Sequence, residues 1–352
     1  MNRLIRFLTG CVLASGVCFN IAAADKPHIL LIHDMEGLAG QDDPYSFVYG
    51  HPKYPQTRKQ LTADVNAVVA GLFDGGAGKV TIADGHGSGN SDADVIVEEL
   101  DPRAKLISRP TYFDTYLDLA EPGAFDAVAV VGMHSKSGTN GFAAHTYSVG
   151  VQASFNGHSI TETELVGMLY GAAGIPVIFA SGDDRLAEDL RTMPWLRYVV
   201  TKKAKSVSSV ELLPVAVVHS AMTREAKLAV QKRASAQVVK LKAPIEVAVR
   251  AVPPASFRWL KDMPGIHFKD DTVSFTASDV RAAYIGMRPL VSAMHSSFNA
   301  VERSVLSKHP DGTRLKYQGR IELFRRWIEA ESAGAPPAPA ESEDVGDYHG
   351  FY

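Results

Sequence analysis

Thiol chemistry is almost absent from this 352-residue chain. It has two cysteines, Cys11 and Cys18, and both lie in the first 24 residues. Once that segment is removed, neither a disulfide framework nor a thiolate metal site can be built. Any metal must then be held by histidine, carboxylate and water. Basic runs are missing as well. The formal net charge is −3, and no cluster of lysine or arginine stands out, so composition gives no electrostatic footprint for nucleic acid. Long apolar runs are also scarce. The one candidate, residues 8–23, is short for a membrane span and is rich in glycine, serine and alanine.

That apolar stretch follows Arg3 and Arg6 and ends in Ala22-Ala23-Ala24 before Asp25. It has the layout of a secretory signal cut after Ala24, which predicts an exported form without a stable membrane anchor, periplasmic in location. The cleavage takes away two arginines and no acid, shifting the net charge from −3 to −5. The remainder, 46% hydrophobic and 21% charged over the whole chain, is ordinary for a globular protein with a sizeable core.

The chain is organised around residues 28–40, HILLIHDMEGLAG. An isoleucine- and leucine-rich run that stops at Asp34-Met35-Glu36-Gly37 reads as a buried strand delivering two carboxylates at its carboxyl end. Residues two apart on a strand share a face, so Asp34 and Glu36 would meet about 5–7 Å apart and require a cation, a proton or an arginine between them. For an isolated pair of this kind, a loop-capping Asp and a solvated Glu are the competing reading.

The plan then repeats. Residues 41–57 form a loop, 58–74 carry helical spacing ended by Gly75-Gly76, and 79–83 form a strand leading to Asp84-Gly85-His86. Helical patterns follow at 92–100 and near 113–119, with a short strand at 104–107 between them. Residues 125–131 make another strand, which stops at Gly132-Met133-His134. His145 lies in the glycine- and serine-rich loop 135–150, and 151–155 with Asn156-Gly157 predicts a hairpin. Thr161 caps a helix with Glu162 in its first turn. A strand at 176–180 ends near Asp183 and Asp184, which read as caps of a helix over 185–190, and 197–201 forms a strand.

Such alternation predicts an α/β fold, a mostly parallel sheet flanked by helices, over residues 25–203. Its ligand crevice lies outside the carboxyl ends of the strands, where Asp34, Glu36, His86 and His134 all arrive. Residues 204–332 are expected to form a second, smaller α+β domain. It would hold a long helical pattern over 206–234 broken near Pro214, strands at 245–252 and 272–276, a helix capped by Ser278, and a terminal helix over 320–330. The alanine-, proline- and acid-rich tail, 333–352, reads as disordered. Asp84, His33, His51 and His158 lie near the motifs and read as structural or peripheral.

Two carboxylates, two histidines and Glu162 offer five nitrogen and oxygen ligands, a set zinc accepts. A shared Asp34 would give each of two ions three protein bonds. The runs HDMEG (33–37), DGH (84–86), VGMHS (131–135), AHT (144–146), ASGDDR (180–185) and TVSFTASDVRAAY (272–284) resemble the D-aminopeptidases of the DppA type, the M55 family of metallopeptidases, in order and spacing from about residue 28 to 297. The resemblance implies two zinc ions per subunit, with Asp34 bridging and Glu36, His86, His134 and Glu162 completing the ligands. It also implies His145 as the catalytic residue, short peptides beginning with a D-residue such as D-Ala as substrates, and a ring-like homo-oligomer. A two-metal phosphoesterase and a non-catalytic peptide- or metal-binding protein are the competing functions.

Overall fold

The computed structural model describes residues 26–321 apart from positions 91, 108–113, 254, 263–266, 295 and 320. The expected leader, the expected terminal helix apart from Ile321, and the acidic tail fall outside the described residues.

Seven strands form the main sheet. β1 (His28–His33) is flanked by β2 (Lys79–Asp84) and, on its other side, by β4 (Ala127–Met133), all parallel. β3 (Lys105–Leu106) extends the β2 edge. Beyond β4 come β7 (Val177–Asp183), β8 (Arg197–Ser206) and the antiparallel β9 (Ser209–Leu212), giving the order β3-β2-β1-β4-β7-β8-β9. Both faces of β1 are buried. Ile29 and Leu31 join one apolar cluster, and Leu30 and Ile32 join the other, which is why this strand is continuously apolar instead of alternating.

The first cluster lies under α1 (Tyr54–Asp74) and α4 (Val215–Gln231), and the second lies under α2 (Glu162–Ala172) and a five-stranded sheet. That sheet contains β5 (Val151–Phe155), β6 (His158–Ser159), β10 (Ile245–Ala251), β11 (His267–Lys269) and β12 (Thr272–Ala277). Its order is β11-β12-β10-β5-β6, and its pairings are antiparallel. Three more helices are α3 (Asp184–Asp189), α5 (Val280–Met294) and α6 (Ser296–Lys308). The fold is a mostly parallel α/β sheet flanked by helices with a second antiparallel sheet. β9 and α4, past residue 203, belong to the first layer, whereas β5 and β6 join the second sheet. None of the described helices is long and apolar enough to cross a membrane.

Several local expectations give way. Residues 92–100 hold only a 3₁₀ turn at Val97–Glu99, because Asp94 is fully buried as an acceptor for Tyr54 and Ser88, a geometry that a regular helix does not supply. The described part of 113–119 is a series of turns. The strand expected at 197–201 runs on to Ser206 and folds back as β9, so the helix begins only after Pro214. The α5 cap is Asp279, whose Oδ1 accepts the Ala282 N–H at 2.8 Å; Ser278 donates to Asp279 instead.

Candidate metal centre

Three neighbouring strands, β2, β1 and β4, end at the same rim of the sheet, and each delivers part of one cluster. The turn after β1 is laced to β4. Asp34 N donates to Val131 O at 2.8 Å and Gly37 N to Gly132 O at 2.7 Å. This approach needs glycine on both sides: a Cβ on Gly37 would lie 1.9 Å from Met133 O, and one on Gly132, with φ +75°, 2.3 Å from Asp34 O. β4 thereby carries His134 to the Asp34 carboxylate.

The expected side chains come together. His134 Nε2 lies 3.5 Å from Asp34 Oδ2 and 3.2 Å from Glu162 Oε1, and His86 Nε2 lies 3.4 Å from Glu36 Oε1. Ligand atoms of Asp34, Glu36 and His86, and separately of Asp34, His134 and Glu162, lie within 4.8 Å of one another. Asp34 belongs to both triads. A third triad joins Glu36, His134 and His145, so distance alone leaves His145 open to either role.

Glu162 enters from the first turn of α2. Thr161 accepts the Glu164 N–H at 3.0 Å, and the Glu164 carboxylate accepts the Thr161 N–H at 2.9 Å, a reciprocal cap that fixes the helix start. The Glu162 carboxylate also accepts the Tyr116 hydroxyl at 2.6 Å and the Tyr147 N–H at 2.7 Å.

The histidines are oriented from behind. Each Nδ1 faces an oxygen acceptor: the Asp94 carboxylate for His86 at 3.3 Å, Ser135 O for His134 at 2.9 Å and Ala143 O for His145 at 2.7 Å. With Nδ1 donating, a neutral ring turns the Nε2 lone pair towards the cluster, as metal-binding imidazoles do. His134 Nε2 is buried and has no aligned hydrogen-bond partner among the described residues. A buried polar atom in this condition is costly. A cation between it and the carboxylates removes the cost, so an oxygen- and nitrogen-binding divalent ion fits this donor set.

The charges are consistent with that fit. Burial, reinforced by Glu36 and Glu162, holds the Asp34 carboxyl well above the usual range. Burial would lower His134, but Glu162, Glu36 and Asp34 outweigh it and push the imidazole up to about 10. Glu162 is taken down to about 2, burial being overcome by His134 and then His145. Protons thus supply the positive charge when no ion does. His145 goes the other way, lowered by burial and by His134 beside it; the two rings stack 4.0 Å apart at 23°.

The His145 loop is held in costly backbone conformations. Ala143 and Tyr147 have φ of 51° and 67°, each worth about 1–3 kcal/mol of strain for a residue with a side chain. Ala143 N donates to Val207 O at 2.8 Å, and Tyr147 N to Glu162. Asp183, expected as a helix cap, accepts Leu186 N at 2.8 Å and also Phe142 N at 2.8 Å, tying α3 to this loop. Asp184 accepts Ala204 N, and Asp84 accepts His86 N. His33 is buried 3.7 Å from Asp84, His51 accepts the Lys53 N–H, and His158 pairs with Glu164.

Sequence patterns miss Tyr116, Asp94 and Lys202. Asp94 and Tyr116 lie in segments with helical periodicity. The one usable signal for Lys202 is strand alternation, which separates it from the exposed Lys203 and Lys205.

A mostly parallel sheet that gathers carboxylates and imidazoles at its strand ends has the layout of a metal-dependent hydrolase site. Within that class it belongs to the M55 peptidases: the model of that family, described as D-aminopeptidase, matches residues 28–288. The chain is 29% identical over 276 residues to the D-aminopeptidase of Bacillus subtilis (strain 168), a match covering 75% of this chain and 97% of the relative. It is also similar to the solved Zn-dependent D-aminopeptidase DppA from Bacillus subtilis, described as a self-compartmentalizing protease, with a TM-score of 0.66 and 26% identity over 74% of this chain and 95% of that one. The family assignment favours neither the phosphoesterase nor the non-catalytic reading.

Proposed function

We propose that this chain is a zinc-dependent D-aminopeptidase that removes the leading residue of short peptides, D-Ala peptides among them. The observation that carries the reading is the buried Nε2 of His134, which has no aligned partner of its own and stands between the Asp34 and Glu162 carboxylates. Asp34, Glu36, His86, His134 and Glu162 would hold two zinc ions, with Asp34 shared. Bound zinc supplies an acidified water and an electrophile for the scissile carbonyl.

The chain's own groups do the rest. Ala143 O fixes His145 with Nδ1 as donor, and burial lowers its pKa, which favours the neutral ring. Nε2 is then free to accept a proton and return it to the departing amine. Tyr116 and the Tyr147 N–H hold the Glu162 carboxylate in place.

Export to the periplasm is part of the same proposal, supported by the leader. Assembly into a ring-like homo-oligomer is supported by the self-compartmentalizing relative. The deciding experiment is a panel of short peptides with D- or L-residues at the amino end, assayed at measured zinc content. Metal-dependent release of the leading residue, with D preferred, is expected. Phosphate-ester cleavage without any amide cleavage would sink the reading, and a monomer in solution scattering would sink the assembly alone.

A further inference from the structure

A recess of about 150 Å³ opens beside the cluster, with Glu36, His86 and His145 on its inner side. Asp34, His134 and Glu162 do not line it, whereas the ligand residues Glu36 and His86 do, so it borders the cluster on one side and extends away from it. Its rim is open at Val48 and Val149, 41% and 49% exposed, whereas its floor is made by buried Asp114, Thr115, Tyr116 and Tyr284. An aminopeptidase substrate has one side chain on the amino side of the scissile bond, and the peptide beyond that bond must lead out to solvent. A recess with a closed floor suits the side chain that ends, not the chain that continues.

The walls are aromatic and braced by one another. Tyr147 and Tyr284 meet edge to face with centroids 5.5 Å apart, and Tyr116 meets Tyr147 at 5.9 Å. The charge at the floor is already matched. Asp114 accepts the Tyr284 hydroxyl at 2.9 Å and the Tyr116 N–H at 3.0 Å, and it lies 3.1 Å from Arg288. The Asp114 carboxylate therefore offers no unpaired charge to a cationic side chain. Size decides among the uncharged ones, because a cavity of roughly 150 Å³ holds a benzene ring and leaves a methyl group loosely surrounded.

We infer that this recess receives an uncharged, phenyl-sized side chain on the leading residue of the peptide. Leading phenylalanine-like residues are then better ligands than alanine. The inference rests on the aminopeptidase reading for the identity of that residue, and its test reads binding directly. Calorimetry on the zinc-loaded protein compares phenylalanine with alanine, each in both hands. The better hand of phenylalanine is expected to bind at least about tenfold more tightly than alanine, the scale of apolar pocket discrimination. Val48→Trp, and independently Val149→Trp, should fill the mouth and bring the ratio towards one at wild-type zinc content.

Equal binding, no binding of phenylalanine, or a ratio that both tryptophans leave unmoved overturns the inference. A parallel hydrolysis assay separates the two readings. Preferential phenylalanine binding without cleavage of any peptide supports the recess and counts against the aminopeptidase. Cleavage of alanine peptides without the preference does the reverse.

Discussion

The ammonium of Lys202 donates to the main-chain oxygen of Glu36 at 2.8 Å. β8 stands three positions from β1 in the sheet, so the turn after β1 reaches across the ends of β4 and β7 to meet it. Lys202 is fully buried. Its other acceptors are Gln41 O at 2.8 Å and Gln41 Oε1 at 2.6 Å, with the Phe142 ring 4.5 Å away. All three oxygens are neutral, and burial takes the amine down to about 7. Next to it, Thr201 donates to Gly37 O at 2.6 Å, so β8 grips two successive carbonyls of the Glu36 turn.

Lys202→Met should therefore loosen the Glu36 side of the cluster. Three buried oxygens lose their donor, at about 1–3 kcal/mol for each one left unmet, offset in part by removal of a buried charge. Zinc affinity is expected to fall about 10–100-fold, as for other groups that support a ligand from behind. Competition with a chromogenic chelator measures it. Unchanged zinc affinity would remove Lys202 from the site.

His145→Ala separates catalyst from ligand. The ring lies within reach of Glu36 and His134 but is braced by Ala143 O. Turnover is expected to drop by about 10²–10⁴ while metal analysis still finds the wild-type zinc content. Loss of one ion on substitution would move His145 into the ligand set. Because its pKa is lowered, the acid limb of kcat/KM should fall below pH 6.5; a limb well above that value would point to another group.

Gly37→Ala tests the lacing of β1 to β4. The new methyl carbon would fall 1.9 Å from Met133 O, and a backbone oxygen cannot rotate away as a side chain can. The turn must move and carry Glu36 with it. The expected cost is at least about 1–3 kcal/mol, the range for overpacking, seen as a lower Tm together with lost zinc. A variant with wild-type Tm and zinc content would mean that the close approach is not needed.

Much of the site was legible because its side chains sit where apolar runs stop. In a parallel sheet those stops share one rim, which groups Asp34, His86 and His134 as candidates before any long-range information; taken singly, each reads as structural. The place of Glu162 in a helix start was legible through its cap at Thr161, but its role as a ligand came only from the family resemblance. Lys202 was not, since its role depends on a turn some 160 residues earlier in the chain. The second sheet was hidden for the same reason. β10 pairs Val247 with Phe155, joining strands on either side of the expected boundary at 203, and no local periodicity reports such a pairing. Tyr116 and Asp94 sit in segments with helical spacing that turn inward to serve Glu162 and His86; the tertiary partners override the pattern.

Zinc uptake should release protons. Without an ion, the surrounding carboxylates hold a proton on His134 up to about 10, and a cation must displace it to reach Nε2. The calorimetric enthalpy of zinc binding at pH 7.5 is thus expected to vary with the ionisation enthalpy of the buffer, corresponding to at least one proton released. Apparent affinity should rise about tenfold per pH unit for each such proton. The sign for stability follows from the same shift. His134 is raised from 6.5 to about 10, so its proton stabilises the metal-free fold in full below pH 6.5, and this contribution is lost as pH rises through about 10. The metal-free protein should accordingly melt lower at pH 10 than at pH 7, and the zinc-loaded protein, in which the ion has replaced the proton, should not show that fall. A binding enthalpy indifferent to buffer would mean that His134 is already neutral before zinc arrives.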